Sequence, residues 1–335
     1  MKMLKKILTC TAISIAIGAT TAKAELTNIT VGTNPSGSTF YLLGGGFSKL
    51  FQEKLGIRSS AQPFMGSSVY LPMIQQGDVT LGISSTVDAR MAYTGGLEYP
   101  AEMTDLRALA NVWELPYAFI TRADSGINTI EDLAGKRVMG DIPASQALTL
   151  IDTIMLRSGG LELSDVEFMK SGGLMDGINA LVEGRVDAAP VATTMPVLTE
   201  SNSSVPGGLR IIANGKLAED PNYYSTQLPG IRSTIAKENP KRPYIIGDTP
   251  IVAYNTLLVG NVNLTEDDAY LLTKTLYDNW EELQKDYGPL RGVQKDDLLI
   301  GHNTVPYHDG SIRFFKELGL WTGANQEHQD ALLKR

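Results

Sequence analysis

The stretch Asn28-Ile-Thr-Val-Gly-Thr-Asn-Pro-Ser-Gly-Ser-Thr39, with the run Tyr41 to Lys54 behind it, decides the fold. Asn28–Gly32 has the short, β-branched apolar pattern of a strand, Thr33–Thr39 collects turn residues, and a helix follows at once. A strand that feeds a helix through a hydroxyl-rich loop is the repeating unit of an α/β domain with a mainly parallel sheet. The alternation continues along the chain. Further strands are expected at Val79–Ser84, Leu106–Val112, Tyr117–Arg122, Lys136–Met139, Gly184–Ala189 and Thr249–Val259. Asn128–Gly135 reads as a short helical turn stopped by glycine, and helices are expected over 145–157 and 174–183. Thr265-Glu-Asp-Asp268 has capping-box spacing before a helix that reaches Lys285, and the tail beyond is read as helical and polar.

The ends and the composition set the compartment. Met1–Lys6 is cationic, Ile7–Gly18 is apolar and Ala22-Lys-Ala24 closes the run, which is the pattern of a secretory signal cleaved after Ala24. The apolar run is shorter than the roughly 20 residues a spanning helix needs. Cys10 is the only cysteine and lies too early for an acylated lipoprotein cysteine, so disulfides and thiolate chemistry are excluded from the mature chain. Residues 1–24 hold four lysines and no acid, which leaves 25 Lys+Arg against 37 Asp+Glu in the remainder. So acidic a body argues against nucleic acid or an anionic membrane surface as partner.

A mature chain of this size divides into two lobes. The order of strands places residues 25–118 with 254–335 in the first lobe and 119–253 in the second, so that the chain crosses twice and makes a hinge. Ligands of open α/β sheets bind at the carboxyl ends of the strands. The loops there are the candidate site: Ser36, Gly37, Ser38 and Thr39 after the first strand, Gly66, Ser67 and Ser68 at another helix start, and Ser85 and Thr86 after the next strand. Ser145 and Gln146, with Thr193 and Thr194, hold the corresponding places in the second lobe. Hydroxyls and free amides at helix N-termini suit an anion, and the same residues equally suit ordinary caps and turns. Tyr41, Trp113 or Tyr117 is expected to pack on the body of the ligand, with Arg90 and Arg122 as possible counter-charges.

An enzyme is disfavoured. His302, His308 and His328 all fall in the tail, are read as solvated, and lack zinc spacing. No G-x-S-x-G elbow, Walker A loop or dinucleotide fingerprint occurs, and the pairs Asp267-Asp268 and Asp296-Asp297 read as solvated faces. No cofactor or metal is expected, and the chain is read as a monomer.

The chain resembles the TAXI family of solute receptors of tripartite ATP-independent periplasmic (TRAP) transporters. That family's opening pattern, G-T-G-x-T-G-G-x-Y-Y-P-x-G-G, is met by Gly32-Thr33, Gly37, Tyr41 and Gly44-Gly45, and a second phrase by Phe119–Ile127 and Asp132–Val138. The resemblance implies a type II periplasmic binding-protein fold, no catalysis, TRAP membrane subunits as partners, and a small carboxylate such as an amino acid or a dicarboxylate as ligand. Departures sit in the pocket: Ser38 replaces a usual glycine, Leu42 a proline and Ser85 a glutamine, and Asp141–Ala147 keeps one proline and the serine of its loop. A receptor of the same fold serving an ATP-driven importer or a sensor is the alternative.

Overall fold

A computed structural model describes residues 26–96 and 99–334, so the expected signal segment lies outside the described residues. The elements run β1 (Asn28–Thr33), α1 (Thr39–Leu55), β2 (Arg58–Pro63), α2 (Ser67–Gln76), β3 (Leu81–Ser85), α3 (Thr86–Thr94), β4 (Leu106–Arg122), β5 (Arg137–Asp141), α4 (Gln146–Ser158), β6 (Glu167–Lys170), α5 (Leu174–Val182), β7 (Ala188–Ala192) and α6 (Val197–Ser204). There follow β8 (Leu209–Ile211), α7 (Tyr223–Gln227), β9 (Ile231–Ala236), β10 (Thr249–Asn261), α8 (Glu266–Asp278), α9 (Trp280–Asp286), α10 (Asp309–Glu317) and α11 (Gly323–Leu333).

The strand order β2-β1-β3-β10-β4-β7-β5-β6 explains the architecture. β1, β2 and β3 are parallel to one another, and so are β5, β6 and β7. Between these two sets lie β4 and β10, antiparallel to each other over their length, from Leu106↔Asn261 to Tyr117↔Val252. Each changes partner part-way. β10 pairs with β9 over Thr249–Tyr254 and with β3 over Thr256–Val259, while β4 takes β7 only from Tyr117 onward. The exchange falls at Trp113–Tyr117 and Tyr254–Thr256, and register shifts at Thr256/Leu257 and Leu258/Val259 bend the pair just beyond it. This is the type II periplasmic binding-protein arrangement, two α/β lobes joined by two crossing strands.

Burial follows position in the sheet. Every residue of β3 and β7, inside their half-sheets, is buried, whereas no residue of the edge strands β2 and β6 is fully buried. Two expectations are corrected here. Leu106–Arg122 is one strand of 17 residues, not two. The helix expected to reach Lys285 divides at Asn279 into α8 and α9. Gly44 and Gly46, inside α1, answer to packing: a Cβ would lie 2.3 Å from the Thr33 methyl at Gly44 and 2.6 Å from the Tyr287 ring at Gly46.

The tail is not a solvated appendage. α8 and α10 pack together on the first lobe, and His308 is 4% exposed rather than a surface residue. It caps α10: Nδ1 accepts the Gly310 N–H at 3.2 Å, which leaves Nε2–H to donate to the Leu264 carbonyl at 3.1 Å. Burial pushes its pKa below the ordinary value, against the pull of Asp309 and Glu266. A neutral imidazole favoured in the folded state contributes stability that is present above the unfolded pKa of about 6.5 and is lost as pH falls through the lower folded value. Melting temperature measured from pH 8 to pH 5 should therefore fall further for the wild type than for His308→Asn, whose amide caps the helix without titrating.

Candidate ligand-binding cleft

The carboxyl ends of β1, β2 and β3 face those of β5, β6 and β7, and four helices begin there. Ser38 is the N-cap of α1, its Oγ accepting the Tyr41 N–H at 3.1 Å, and Ser85 caps α3 by accepting the Asp88 N–H at 2.8 Å. Gly66 and Ser145 precede α2 and α4. Each helix therefore turns its positive N-terminal end and a small residue toward the space between the lobes.

The lobes touch across that space. Thr39 Oγ1 lies 3.1 Å from Thr194 Oγ1, Ser68 Oγ donates to the Ala144 carbonyl at 2.5 Å, and Ser145 Oγ donates to Asp88 Oδ1 at 3.3 Å. They enclose an inner cavity of about 20 Å³, room for roughly one water, lined by Ser38, Thr39, Ser67, Ser85, Asp88, Ser145 and Tyr254 among others. Ser38, Ser145, Leu148 and Leu174 also line an outer space of about 290 Å³, which reaches Gly66, Met175 and Asp176. Among the described residues, no lysine, arginine or histidine lines either space, and the acids that do are Asp88 and Asp176.

Five of the residues singled out from sequence thus meet in one cavity: Ser38, Thr39, Ser67, Ser85 and Ser145. Gly66 lines the outer space and Ser68 bridges the lobes. Gly37 has φ 89°, a conformation suited to glycine, and faces Met175 of α5, while Ser36 and Tyr41 are exposed. Gln146 opens α4 half-buried. Trp113, 2% exposed, packs edge-on to Phe40 and lines a separate groove of about 510 Å³ with Thr193 and Thr194. Thr86 donates to the Asn255 carbonyl and, with Arg90, borders another groove; Arg122 leans toward Asp124 at 3.8 Å.

Asp88, which sequence reasoning passed over, is the group at the centre. It is 4% exposed, and Oδ2 accepts the Ser85 hydroxyl at 2.8 Å. Burial pushes its carboxyl above the usual carboxylate range, opposed by the hydroxyls of Ser85, Ser67 and Ser145. The signal was Ser85-Thr-Val-Asp88, which has the capping-box spacing also seen at Thr265.

The crossing strands and the facing helix N-termini thus meet around one cavity between the lobes. Residues 31–319 match the NMT1-like family. The chain belongs to that family. Among solved structures, this NMT1-like chain is similar to PhnD1 from Prochlorococcus marinus (MIT 9301) in complex with methylphosphonate, at 12% identity over 89% of this chain and 100% of that one, with a TM-score of 0.56. It is also similar to a protein from Bordetella bronchiseptica RB50, at 16% identity over 91% and 98% of the two chains, with a TM-score of 0.51. These likenesses establish the fold. Among the described residues no helix is long and apolar enough to cross a membrane.

Proposed function

We propose that this chain is an exported solute receptor that closes on a small carboxylate-bearing molecule and delivers it to the membrane subunits of a TRAP-type secondary transporter. The observation that carries the reading is the meeting of four helix N-termini, with their hydroxyls, from both lobes around one cavity. A ligand carboxylate there receives charge-assisted hydrogen bonds from amides and hydroxyls without a basic side chain. Residues 25–118 with 254–335 and residues 119–253 move as two bodies about the crossings, and the ligand selects the closed arrangement.

A thermal-shift screen of the mature protein against amino acids, dicarboxylates, sulfonates and methylphosphonate tests the class, because a ligand that binds only the folded state raises stability by about 2.7 kcal/mol at a hundredfold excess over its Kd. At least one carboxylate should stabilise; stabilisation by methylphosphonate alone would favour the phosphonate chemistry of PhnD1 instead. An ATP-driven importer is the second reading of the partner. Uptake that persists when cellular ATP is depleted and the ion gradient is held separates the two in favour of TRAP. Thr39→Val removes one hydroxyl that bridges the lobes and should weaken the screened ligand about fivefold by calorimetry, the weight of a single net hydrogen bond of about 1 kcal/mol.

A further inference from the structure

We infer that the groove beside Trp113 is a second binding site, separate from the solute cavity, that takes the phosphate group of a small phosphorylated molecule. Thr193 and Thr194 line this groove, Thr39 lines the cavity, and the 3.1 Å hydroxyl contact between Thr39 and Thr194 stands between the two spaces. At about 510 Å³ the groove has the size of a small-molecule site. Its lining inverts the charge of the chain. The whole sequence carries 29 Lys+Arg against 37 Asp+Glu, yet Arg232, Lys237 and Arg242 line the groove with Glu114 as the acid among the described residues. Glu114 pairs with Arg232. Lys237 pairs with Asp248 at 2.6 Å, but the two side chains are 73% and 54% exposed, and so exposed a pair is worth little and yields to a ligand of higher charge. The half-buried Arg242 has no ion pair or side-chain hydrogen bond among the described residues. Its guanidinium is a rigid fork of donors without an acceptor, the group best suited to an oxyanion.

The second observation is independent of charge. Thr193 is 1% exposed and its backbone is held at both ends, the N–H donating to the Pro116 carbonyl at 2.9 Å and the carbonyl accepting the buried Tyr244 hydroxyl at 3.0 Å. Its own hydroxyl is buried with no partner. Such a group is costly to leave unsatisfied, and a phosphate oxygen at the groove wall would satisfy it. Phosphate suits this set better than a carboxylate does. A phosphate ester near pH 7 carries about −1.5 to −2 charges at one centre and three acceptor oxygens, one each for Arg242, Lys237 and the Thr193 hydroxyl. A carboxylate brings one charge and two oxygens.

The test is calorimetry on the mature chain in phosphate-free buffer, with pyrophosphate and inorganic phosphate as probes and succinate and acetate as controls. Pyrophosphate should bind the wild type, more weakly as salt rises. It should bind Gly66→Val equally well, because the added Cβ there obstructs only the meeting of the lobes at Ala144, whereas the three cations and Thr193 belong to the second lobe. Arg242→Gln should lower pyrophosphate affinity at least about tenfold, the weight of one charge-assisted hydrogen bond, and leave the solute selected by the cleft screen unaffected. Lys237→Gln, at an exposed position, serves should Arg242→Gln fail to fold. Thr193→Val should lower pyrophosphate affinity about fivefold while the ligand-free melting temperature holds or rises, since a methyl replaces an unsatisfied hydroxyl. A threonine with a purely structural role would instead lose stability and leave pyrophosphate binding alone. No pyrophosphate binding to the wild type, undiminished binding by the variants of Arg242 and Thr193, loss of binding in Gly66→Val, or succinate binding as tightly as pyrophosphate overturns the inference. None of these results touches the solute reading, which the cleft screen decides by itself.

Discussion

A valine at position 66 leaves the ligand-free fold intact and lowers ligand affinity at least a hundredfold. Gly66 has φ 176° and ψ 175°, extended backbone that any residue adopts, and it gives α2 no side-chain cap, so the first lobe loses nothing by the change. A Cβ there would lie 2.2 Å from the Ala144 carbonyl oxygen and 3.0 Å from its carbon. That carbonyl belongs to the second lobe and is the acceptor for Ser68. The clash is between backbones and exists only when the lobes meet, so it penalises the closed state alone. A hundredfold loss corresponds to about 2.7 kcal/mol, within what overpacking costs. Calorimetry on a variant with a wild-type melting curve checks it. Unchanged affinity would mean that Gly66 and Ala144 do not meet in the bound protein.

The second large effect is on stability. Gly310→Ala in α10 places a Cβ 2.0 Å from the Glu266 carbonyl oxygen and 2.5 Å from the Tyr270 nitrogen of α8. No side chain can turn away, because both obstacles are main chain. The two helices must separate, which exposes Phe314 and Phe315 and breaks the 2.7 Å Thr273–Ser311 hydroxyl pair. A loss of about 3–5 kcal/mol is expected, and melting should fall on the order of 10 °C, with the cleft's affinity unaltered below the transition. A melting point within about 2 °C of wild type would show that α8 and α10 do not approach as described.

What was readable from the chain was what has local periodicity. β1, its loop and α1 were legible because apolar strand, turn chemistry and helix follow one another within residues 28–54. β2 was not, because Arg58-Ser-Ser-Ala-Gln-Pro63 is an edge strand that pairs only with β1 and need not be apolar. Trp113-Glu-Leu-Pro116 looked like a break between two strands, yet it is where β4 changes lobe, held by Tyr254 and Ala253 of β10 opposite. Of the five serines and threonines lining the inner cavity, Ser38, Thr39, Ser85 and Ser145 were found by their place at strand ends and Ser67 by its place at a helix start. Asp88 was missed because its burial is non-local: Ser145, which closes over it, lies 57 residues away in the other lobe. His308 was misread for the same reason, since a polar tail packed by α8 looks in sequence like one in solvent.

Closure over the solute is the claim on which the rest depends, and small-angle scattering measures it directly. Titrated with the solute that the screen selects, the mature wild type should show a radius of gyration that falls and saturates with the calorimetric binding curve, while Gly66→Val keeps the larger radius throughout. A wild-type radius unchanged across a titration in which calorimetry records saturable binding would contradict closure of the two lobes on the ligand.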